Sequence, residues 1–201
     1  SLLEKGFNVN EKNLTCWGQT ALHCVKSREV CEVLLDHGAE LEVRDNYREE
    51  TPFLTAVRCE TTFVDLLLDR GADVGVRNNE GKTALHLVNT NLETIKTILD
   101  HGGKVNIKDN EGNTPLHSFI MNRLGPDCVK LLLEKEADVN IKNDEGQTPL
   151  HLAVANNQTD VIDLLLDYGA DVFQKNKRNK SPLDLALYSS EEELGSEVSV
   201  M

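Results

Sequence analysis

The sequence predicts an all-α fold of stacked helix-turn-helix units, with β-hairpin-like loops projecting between them. An apolar run that ends at Gly alternates along the chain with a second, more regular motif. Aromatic residues make up only 4% of the chain, so the core must be aliphatic, as stacked repeats allow. The second motif is a tetrapeptide close to Thr-Pro-Leu-His that recurs every 31 to 34 residues, with copies starting at Thr20, Thr51, Thr83, Thr114, Thr148 and Ser181.

The tetrapeptide predicts the start of the first helix in each repeat. Thr148 is a good N-cap, because its hydroxyl can accept a bond from an unpaired backbone N–H of the first turn. Pro149 suits the first helical position, where a missing N–H costs nothing. Leu150 then begins the buried face.

The apolar run predicts the second helix. Its clearest copy is Leu164 to Val172, in which Gly169 ends the helix in a left-handed conformation. Glu136 occupies the equivalent position one repeat earlier, where a left-handed conformation would cost roughly 1 kcal/mol. Each repeat is therefore helix, turn, helix and an extended polar loop.

The spacing between motifs is uneven near the start of the chain. The distance from the Gly position to the next Thr is 14 and then 13 residues in the first two loops, and 12 in the later ones. These two insertions hold Trp17 and Tyr47. The first repeat lacks about three residues between its helices, around 25–29, and the third lacks two, around 89–91. We expect these shortened turns to bend the stack locally rather than to carry function.

These motifs closely resemble the ankyrin repeat, whose pattern is Gly-x-Thr-Pro-Leu-His, then Leu-Leu-Leu, then Gly-Ala-Asp-Val-Asn. The resemblance implies an ankyrin-repeat solenoid. It also implies that the motif histidines His23, His86, His117 and His151 are structural and bond neighbouring backbone, a bond that Leu54 and Asp184 cannot reproduce. The predicted domain covers residues 1–187, with a partial repeat at 1–17, full repeats from about 18, 49, 81, 112 and 146, a partial repeat at 179–187, and an acidic tail at 188–201.

Composition narrows the classes of partner. The formal net charge is −13, which argues against nucleic acid and anionic membranes, since both require a basic surface. No segment approaches 18 apolar residues. The five cysteines are odd in number and lack zinc-site spacing, which favours reduced thiols in the cytoplasm or nucleus. We expect Cys24, Cys31 and Cys128 in the core, and Cys16 and Cys59 in a loop and a turn.

No catalytic motif is present in the sequence. It contains no HExxH, Gly-rich phosphate loop, CxxC or nucleophile signature. We therefore expect a non-enzyme with no cofactor, metal or small-molecule substrate, and a monomer.

One regularity exceeds what folding requires. A basic residue follows each Gly position by six residues, and the next residue is always Asn or Asp, which is typical of turns. In stacked repeats these bases would form a line, which we call the basic ladder. The ladder is either a solvated structural feature, muted by nearby carboxylates, or a binding surface. It consists of Lys12, Arg44, Arg77, Lys108, Lys142 and Lys175.

The resemblance implies binding through the loops and the inner face of the first helices, where Arg58 also lies. Trp17 and Tyr47 are the strongest candidates, because Trp, Tyr and Arg dominate interface hot spots. The alternative is that the Trp17 loop packs over a preceding repeat. The predicted partner-binding residues are Trp17, Arg44, Tyr47, Arg48, Arg77, Lys82, Lys108 and Lys142.

The function predicted from these features is a non-catalytic protein-protein interaction module, with a partner that presents an acidic or extended segment. Two alternatives stay open. The chain could be a regulatory domain of a larger channel, enzyme or effector that acts by intramolecular contacts. It could also be an inhibitor that sequesters a transcription factor.

Overall fold

The computed structural model describes residues 8–89 and 91–187, and the chain divides into two units, Ser1–Lys104 and Val105–Met201. The predicted tail at 188–201 lies outside the described residues. The helices of the first unit are α1 (Ala21–Cys24), α2 (Arg28–Asp36), α3 (Pro52–Arg58), α4 (Val64–Asp69), α5 (Ala84–Leu87) and α6 (Leu92–Asp100). Those of the second unit are α7 (Pro115–Met121), α8 (Pro126–Glu134), α9 (Pro149–Ala155) and α10 (Thr159–Asp167), and residues 182–187 are also helical.

Within each unit the helices stack as the repeat pattern predicts. In the first unit α1 packs on α3 and α3 on α5, while α4 packs on α6. In the second unit α7 packs on α9 and α8 on α10. The core is aliphatic around three buried phenylalanines, Phe53, Phe63 and Phe119. The predicted all-α class and the helix-turn-helix units are confirmed.

In the four tetrapeptides that contain His, the Thr and the His cap the first helix together. In α9 the backbone N–H of Thr148 donates to Nδ1 of His151 at 3.1 Å, and the Thr148 hydroxyl lies 2.8 Å from the same atom. The same pair of contacts occurs at Thr20 and His23. Because Nδ1 accepts, the proton of the neutral ring must lie on Nε2.

The other ring nitrogen ties one repeat to the next. Nε2 of His23 donates to the carbonyl of Glu50 at 3.1 Å, and Nε2 of His151 donates to the carbonyl of Lys180 at 3.0 Å. Burial lowers the pKa of both imidazoles, which keeps them in the neutral form that this geometry requires. The structural role expected for these histidines is confirmed. Asp184 keeps the cap by accepting from the Ser181 backbone at 2.9 Å.

Each loop is closed by a backbone hydrogen bond before the next Thr, without regular strands in the described residues. The closing bond joins positions six apart in the first loop (13 to 19), five apart in the second (45 to 50) and four apart in the later ones, such as 78 to 82 and 143 to 147. The Asn or Asp side chain turns each loop; Oδ1 of Asn78, for example, accepts from the backbone of Glu80 and Lys82. The predicted insertions are therefore confirmed.

Helix length varies more in the first unit. Helices α1 and α5 have only four residues, whereas α3, α7 and α9 have seven. Because α1 ends at Cys24, that thiol is exposed, and its predicted core position was wrong. Cys31 and Cys128 are buried as predicted, and burial raises the pKa of Cys31 to about 11.

Candidate partner-binding site

The lengthened loops of the first unit bring two aromatic rings together. The rings of Trp17 and Tyr47 lie with centroids 5.1 Å apart and planes tilted by 41°. This is within the range in which aromatic pairs attract each other. The contact joins the first loop to the second, and it is the centre of the surface that we call the tip patch: Trp17, Tyr47, Arg48, Glu80 and Lys82.

A row of charges continues the tip patch into the third loop. The guanidinium of Arg48 lies 5.3 Å from the centroid of the Tyr47 ring, a cation–π distance. The same guanidinium lies 3.5 Å from Oε1 of Glu80, while Nζ of Lys82 donates to Oε2 of Glu80 at 2.6 Å. The hydrogen bond from Lys82 lowers the pKa of Glu80, which is therefore ionised at neutral pH. The charges thus alternate as plus, minus, plus.

The aromatic pair is much more exposed than its size would suggest. Trp17 is 63% exposed, Tyr47 is 55% exposed and the adjacent Leu14 is 82% exposed. In the second unit the loops that close between 109 and 113 and between 143 and 147 contain no aromatic residue. The hairpin closes without the rings, so folding of the loop does not explain them.

Backbone hydrogen bonds hold the tip patch in place. The N–H of Asn46 donates to the carbonyl of Trp17 at 2.7 Å, and the N–H of Asn79 donates to the carbonyl of Arg48 at 2.9 Å. Gly18 permits the first of these approaches, because a Cβ there would lie 2.4 Å from Nδ2 of Asn46. The three loop tips are therefore preorganised, which lowers the entropy cost of binding.

Trp17 has a left-handed backbone, with φ of 57°. A bulky side chain in this region is unfavourable, and such strain costs of order 1 kcal/mol or more. Strained residues cluster at functional sites. Position 17 would be better served by Gly or Asn for stability alone.

The basic ladder is largely engaged with backbone. Nζ of Lys12 donates to the carbonyl of Arg44 at 2.7 Å, and Nη1 of Arg44 donates to the carbonyl of Arg77 at 2.7 Å. In the second unit Nζ of Lys108 donates to the carbonyl of Lys142 at 2.8 Å, and Nζ of Lys142 to the carbonyl of Lys175 at 2.9 Å. These four bases follow the predicted line, because each bonds the backbone at the next ladder position in its own unit. Nε of Arg77 instead donates to the carbonyl of Gly81 at 2.8 Å.

Six of the eight predicted binding residues lie in the first unit, and four of them form the tip patch. Arg44 and Arg77 belong to the ladder beneath it, whereas Lys108 and Lys142 lie in the second unit. Sequence reasoning did not anticipate the role of Glu80, which joins Arg48 to Lys82 rather than muting the ladder. No sequence signal indicates that the carboxylate turns to that side.

Residues 8–89 and 91–187 contain neither a cluster suited to a metal ion nor a helix suited to crossing a membrane. No group of three or more His, Cys, Asp or Glu side chains there is arranged to hold a metal ion. No helix in these ranges combines the length and apolarity that a bilayer crossing requires.

The sequence matches a known protein family. A family profile described as ankyrin repeats in three copies matches residues 1–78, 56–143, 87–176 and 124–195. A comparison with curated proteins gives no match. The matches overlap and together span residues 1–195, in agreement with the helical hairpins and capped tetrapeptides described above, and the chain therefore belongs to the ankyrin-repeat family.

Proposed function

We infer that this chain is a non-catalytic module that binds a protein partner through the tip patch and the adjoining inner face of the first unit. Ankyrin repeats are generally protein-interaction modules. The observation that carries the proposal is the exposed pair of Trp17 and Tyr47 on inserted loop residues, with Trp17 in a strained conformation. The pair reduces stability or leaves it unchanged, so a benefit outside folding is the simplest reason for it.

The chemistry of the tip patch favours a mixed partner surface. Two aromatic rings offer a large contact area at little entropic cost, and the exposed Leu14 lies in the same loop as Trp17. Arg48 and Lys82 offer hydrogen bonds to acceptors, and Glu80 already orders both. The ladder bases, Arg44 and Arg77 here and Lys108 and Lys142 in the second unit, belong to the proposal as outer contacts that steer an acidic or extended segment.

The test is affinity capture with matched variants. The wild-type chain, Trp17→Gly and Phe173→Ala serve as baits in a cell lysate, with folding of each checked by circular dichroism. Phe173 is a suitable control because it is a 71% exposed aromatic residue in the second unit. We expect a partner that the wild type and Phe173→Ala retain and Trp17→Gly loses. Equal capture by all three baits would remove the tip patch as the site.

The narrower roles stay predictions. A regulatory domain would bind a segment of its own longer chain, and an inhibitor would bind a transcription factor. Both would use the same surface, so the identity of the captured partner separates them.

A further inference from the structure

The shortened first repeat leaves a cleft of about 550 Å³ in the first unit, between α1 and the end of α3. Because α1 stops at Cys24, the cleft stays open beside Arg58 and the residues that follow α3. Leu22, Val25 and Phe63 contribute apolar walls, and Gln19 lines the same cleft two residues after Trp17. A cleft of this size accommodates one or two side chains of a ligand.

Arg58 is held at the edge of this cleft by a buried carboxylate. Its Nε donates to Oε2 of Glu50 at 2.8 Å, and the Glu50 side chain has no exposure to solvent, whereas that of Arg58 is 35% exposed. Burial is the largest single influence on Arg58 and opposes its charge, but the hydrogen bond that Arg58 donates to Glu50 and the attraction of that carboxylate together outweigh it, so the pKa of the guanidinium is raised. Arg58 therefore remains a cation with a fixed orientation.

The terminal nitrogens of Arg58 are available. In residues 8–89 and 91–187 the guanidinium makes no hydrogen bond other than the one to Glu50. A guanidinium held by Nε presents its two terminal N–H groups as a fork that matches a carboxylate.

Thr55 adds a buried hydroxyl without a described partner next to this cleft. It lies one turn before Arg58 on α3 and lines the same cleft. Only 4% of Thr55 is exposed to solvent, and its hydroxyl has no hydrogen-bond partner in the described part of the chain. A buried hydroxyl without a partner is costly, and a native structure seldom leaves one without reason.

The charges around the cleft restrict the ligand. Lys26 lies on its rim together with Glu60, and the nearby carboxylate of Asp45 is buried. Glu50 is covered by Arg58, so a ligand entering the cleft meets the guanidinium fork and not the carboxylate that holds it. An anionic group with two acceptor oxygens suits this arrangement, and a cation does not.

We propose that the cleft is a carboxylate-binding subsite, which takes an acidic side chain of the protein partner with Arg58 as its bidentate donor. This rests on the proposed function, since the acidic residue is expected to belong to the segment that contacts the tip patch. Gln19 connects the two places, because it follows Trp17 in the first loop and lines the cleft. The shortened turn of the first repeat is then part of the binding site, contrary to the expectation that it only bends the stack.

The test uses random 12-residue peptides displayed on phage as the probe. They are selected in parallel on the wild type, Arg58→Lys, Arg70→Lys and Trp17→Gly. Arg58→Lys keeps a cation over Glu50 but removes the fork. Arg70→Lys is the matched control, because Arg70 makes an ion pair with Asp36 at 2.9 Å in the same unit, with 38% of its side chain exposed, and does not line the cleft.

We expect wild type and Arg70→Lys to select peptides with an acidic residue at a fixed distance from an apolar anchor. Replacing that acid by its amide should weaken binding to wild type by at least about tenfold, and should have little further effect on Arg58→Lys. Selections without a fixed acid, an amide effect of equal size on Arg58→Lys, or the absence of any binding peptide would overturn the subsite.

Trp17→Gly separates the two proposals. If it loses the apolar anchor but keeps the acid, both proposals stand. If it selects the same peptides as wild type while Arg58→Lys loses the acid, the subsite stands and the tip patch fails. If Arg58→Lys selects the same peptides as wild type while Trp17→Gly loses the anchor, the subsite fails and the tip patch stands.

Discussion

The two units of the chain are built from the same repeat but differ in how closely they follow it. In the second unit the first helices have seven residues and the second helices nine, and the loops close over four positions. In the first unit α1 and α5 are reduced to four residues, and two loops close over six and five positions. The departures in the first unit accompany an exposed aromatic pair and an open cleft.

This contrast separates the residues that stabilise the repeat from those that we assign to binding. The capping Thr and His pair is present in both units with nearly identical distances, as at Thr20 and His23 and at Thr148 and His151. Inserted residues instead expose Trp17 and Tyr47, and the shortened helix α1 leaves a cleft beside the end of α3. We therefore expect substitutions in the capping Thr and His pairs to change stability. Substitutions in the inserted loops and the cleft of the first unit should change binding.

The largest expected effect is on binding at Trp17. Trp17→Gly should weaken partner binding by about 2 kcal/mol or more, roughly 30-fold, as loss of an aromatic hot spot does. Relief of the left-handed strain, of order 1 kcal/mol, should offset loss of the Tyr47 contact, so the free energy of unfolding should change by less than about 1 kcal/mol. Titration calorimetry with the captured partner and urea denaturation measure the two quantities.

Phe173→Ala in the second unit is the control for this measurement. It removes a similarly exposed ring outside the inserted loops. An equal loss of affinity in Phe173→Ala, or a Trp17→Gly protein that is unfolded, would contradict the division between the units.

The pH dependence of stability should arise from the capping histidines, which both units share, and not from the inserted loops or the cleft of the first unit. Burial lowers the pKa of His23 and His151 in the folded state below the ordinary value of 6.5. The unfolded chain then binds more protons, so their stabilisation is complete above pH 6.5 and is lost as pH falls from 6.5 through the lowered pKa. Each histidine contributes a slope of at most about 1.4 kcal/mol per pH unit.

Replacing His151 by Gln tests this, because Gln can serve in a capping box but does not titrate. Urea denaturation between pH 7 and pH 5 should give a shallower loss of stability for His151→Gln than for the wild type.

His101 is the opposite case: a backbone hydrogen bond to Thr97 and the nearby Asp69 raise its pKa, so its contribution is present below pH 6.5 and is lost as pH rises. His101→Gln should therefore not flatten the loss on acidification, and identical slopes for His151→Gln and wild type would contradict the assignment.

Stability changes of opposite sign are expected at Thr51, the N-cap of α3, and at Thr55 within the helix. Thr55→Val replaces a hydroxyl that has no partner in the described residues by a methyl group of the same shape, so it should stabilise the chain by about 1 kcal/mol. Thr51→Val removes the side chain that accepts from the backbone N–H of Leu54, so it should destabilise by about 1 kcal/mol. In the second unit the position of Thr55 holds Leu152 in one repeat and the buried Ser118 in the other, so the fold accepts an apolar residue there.

Urea denaturation of the two variants without ligand measures the difference. Destabilisation by Thr55→Val would mean that the hydroxyl has a structural partner, and it would weaken the assignment of the cleft as a ligand site.

The fold was predictable because its determinants are local and repeated. The Thr-Pro-Leu-His motif specifies a cap, a helix start and a buried face within four residues, and six copies make the period unmistakable. The inserted loops and the shortened helix α1 follow from counting residues between motifs. Cys24 was misplaced because alignment with Leu152 assumes a full-length helix, whereas α1 ends at Cys24 itself.

The site was only partly predictable. Residue type and loop length singled out Trp17 and Tyr47, but their contact depends on Gly18 and on the Asn46 hydrogen bond, which are tertiary features. The ladder pattern was visible in sequence, yet its donation to neighbouring carbonyls is a matter of side-chain direction. The same is true of Glu50, whose burial beneath Arg58 no local pattern indicates.

The smallest expected effect is at Glu136. Here the second unit departs from the repeat pattern, and Glu136 belongs to neither of the proposed binding sites. Glu136 has φ of 64° and is exposed, while the same position holds Gly71 in the first unit and Gly169 in the second. Its contacts use backbone atoms: its N–H donates to the carbonyl of Leu133 at 3.0 Å, and its carbonyl accepts from Asn106 at 3.1 Å. Glu136→Gly should keep these bonds and relieve the strain, with a gain of about 0.5 to 1 kcal/mol by urea denaturation. Gly71→Glu should lose a similar amount, and partner binding should be unchanged in both, because neither residue belongs to the tip patch or the cleft. Weaker binding in Glu136→Gly would contradict this and would show that residues of the second unit other than the ladder bases take part in binding.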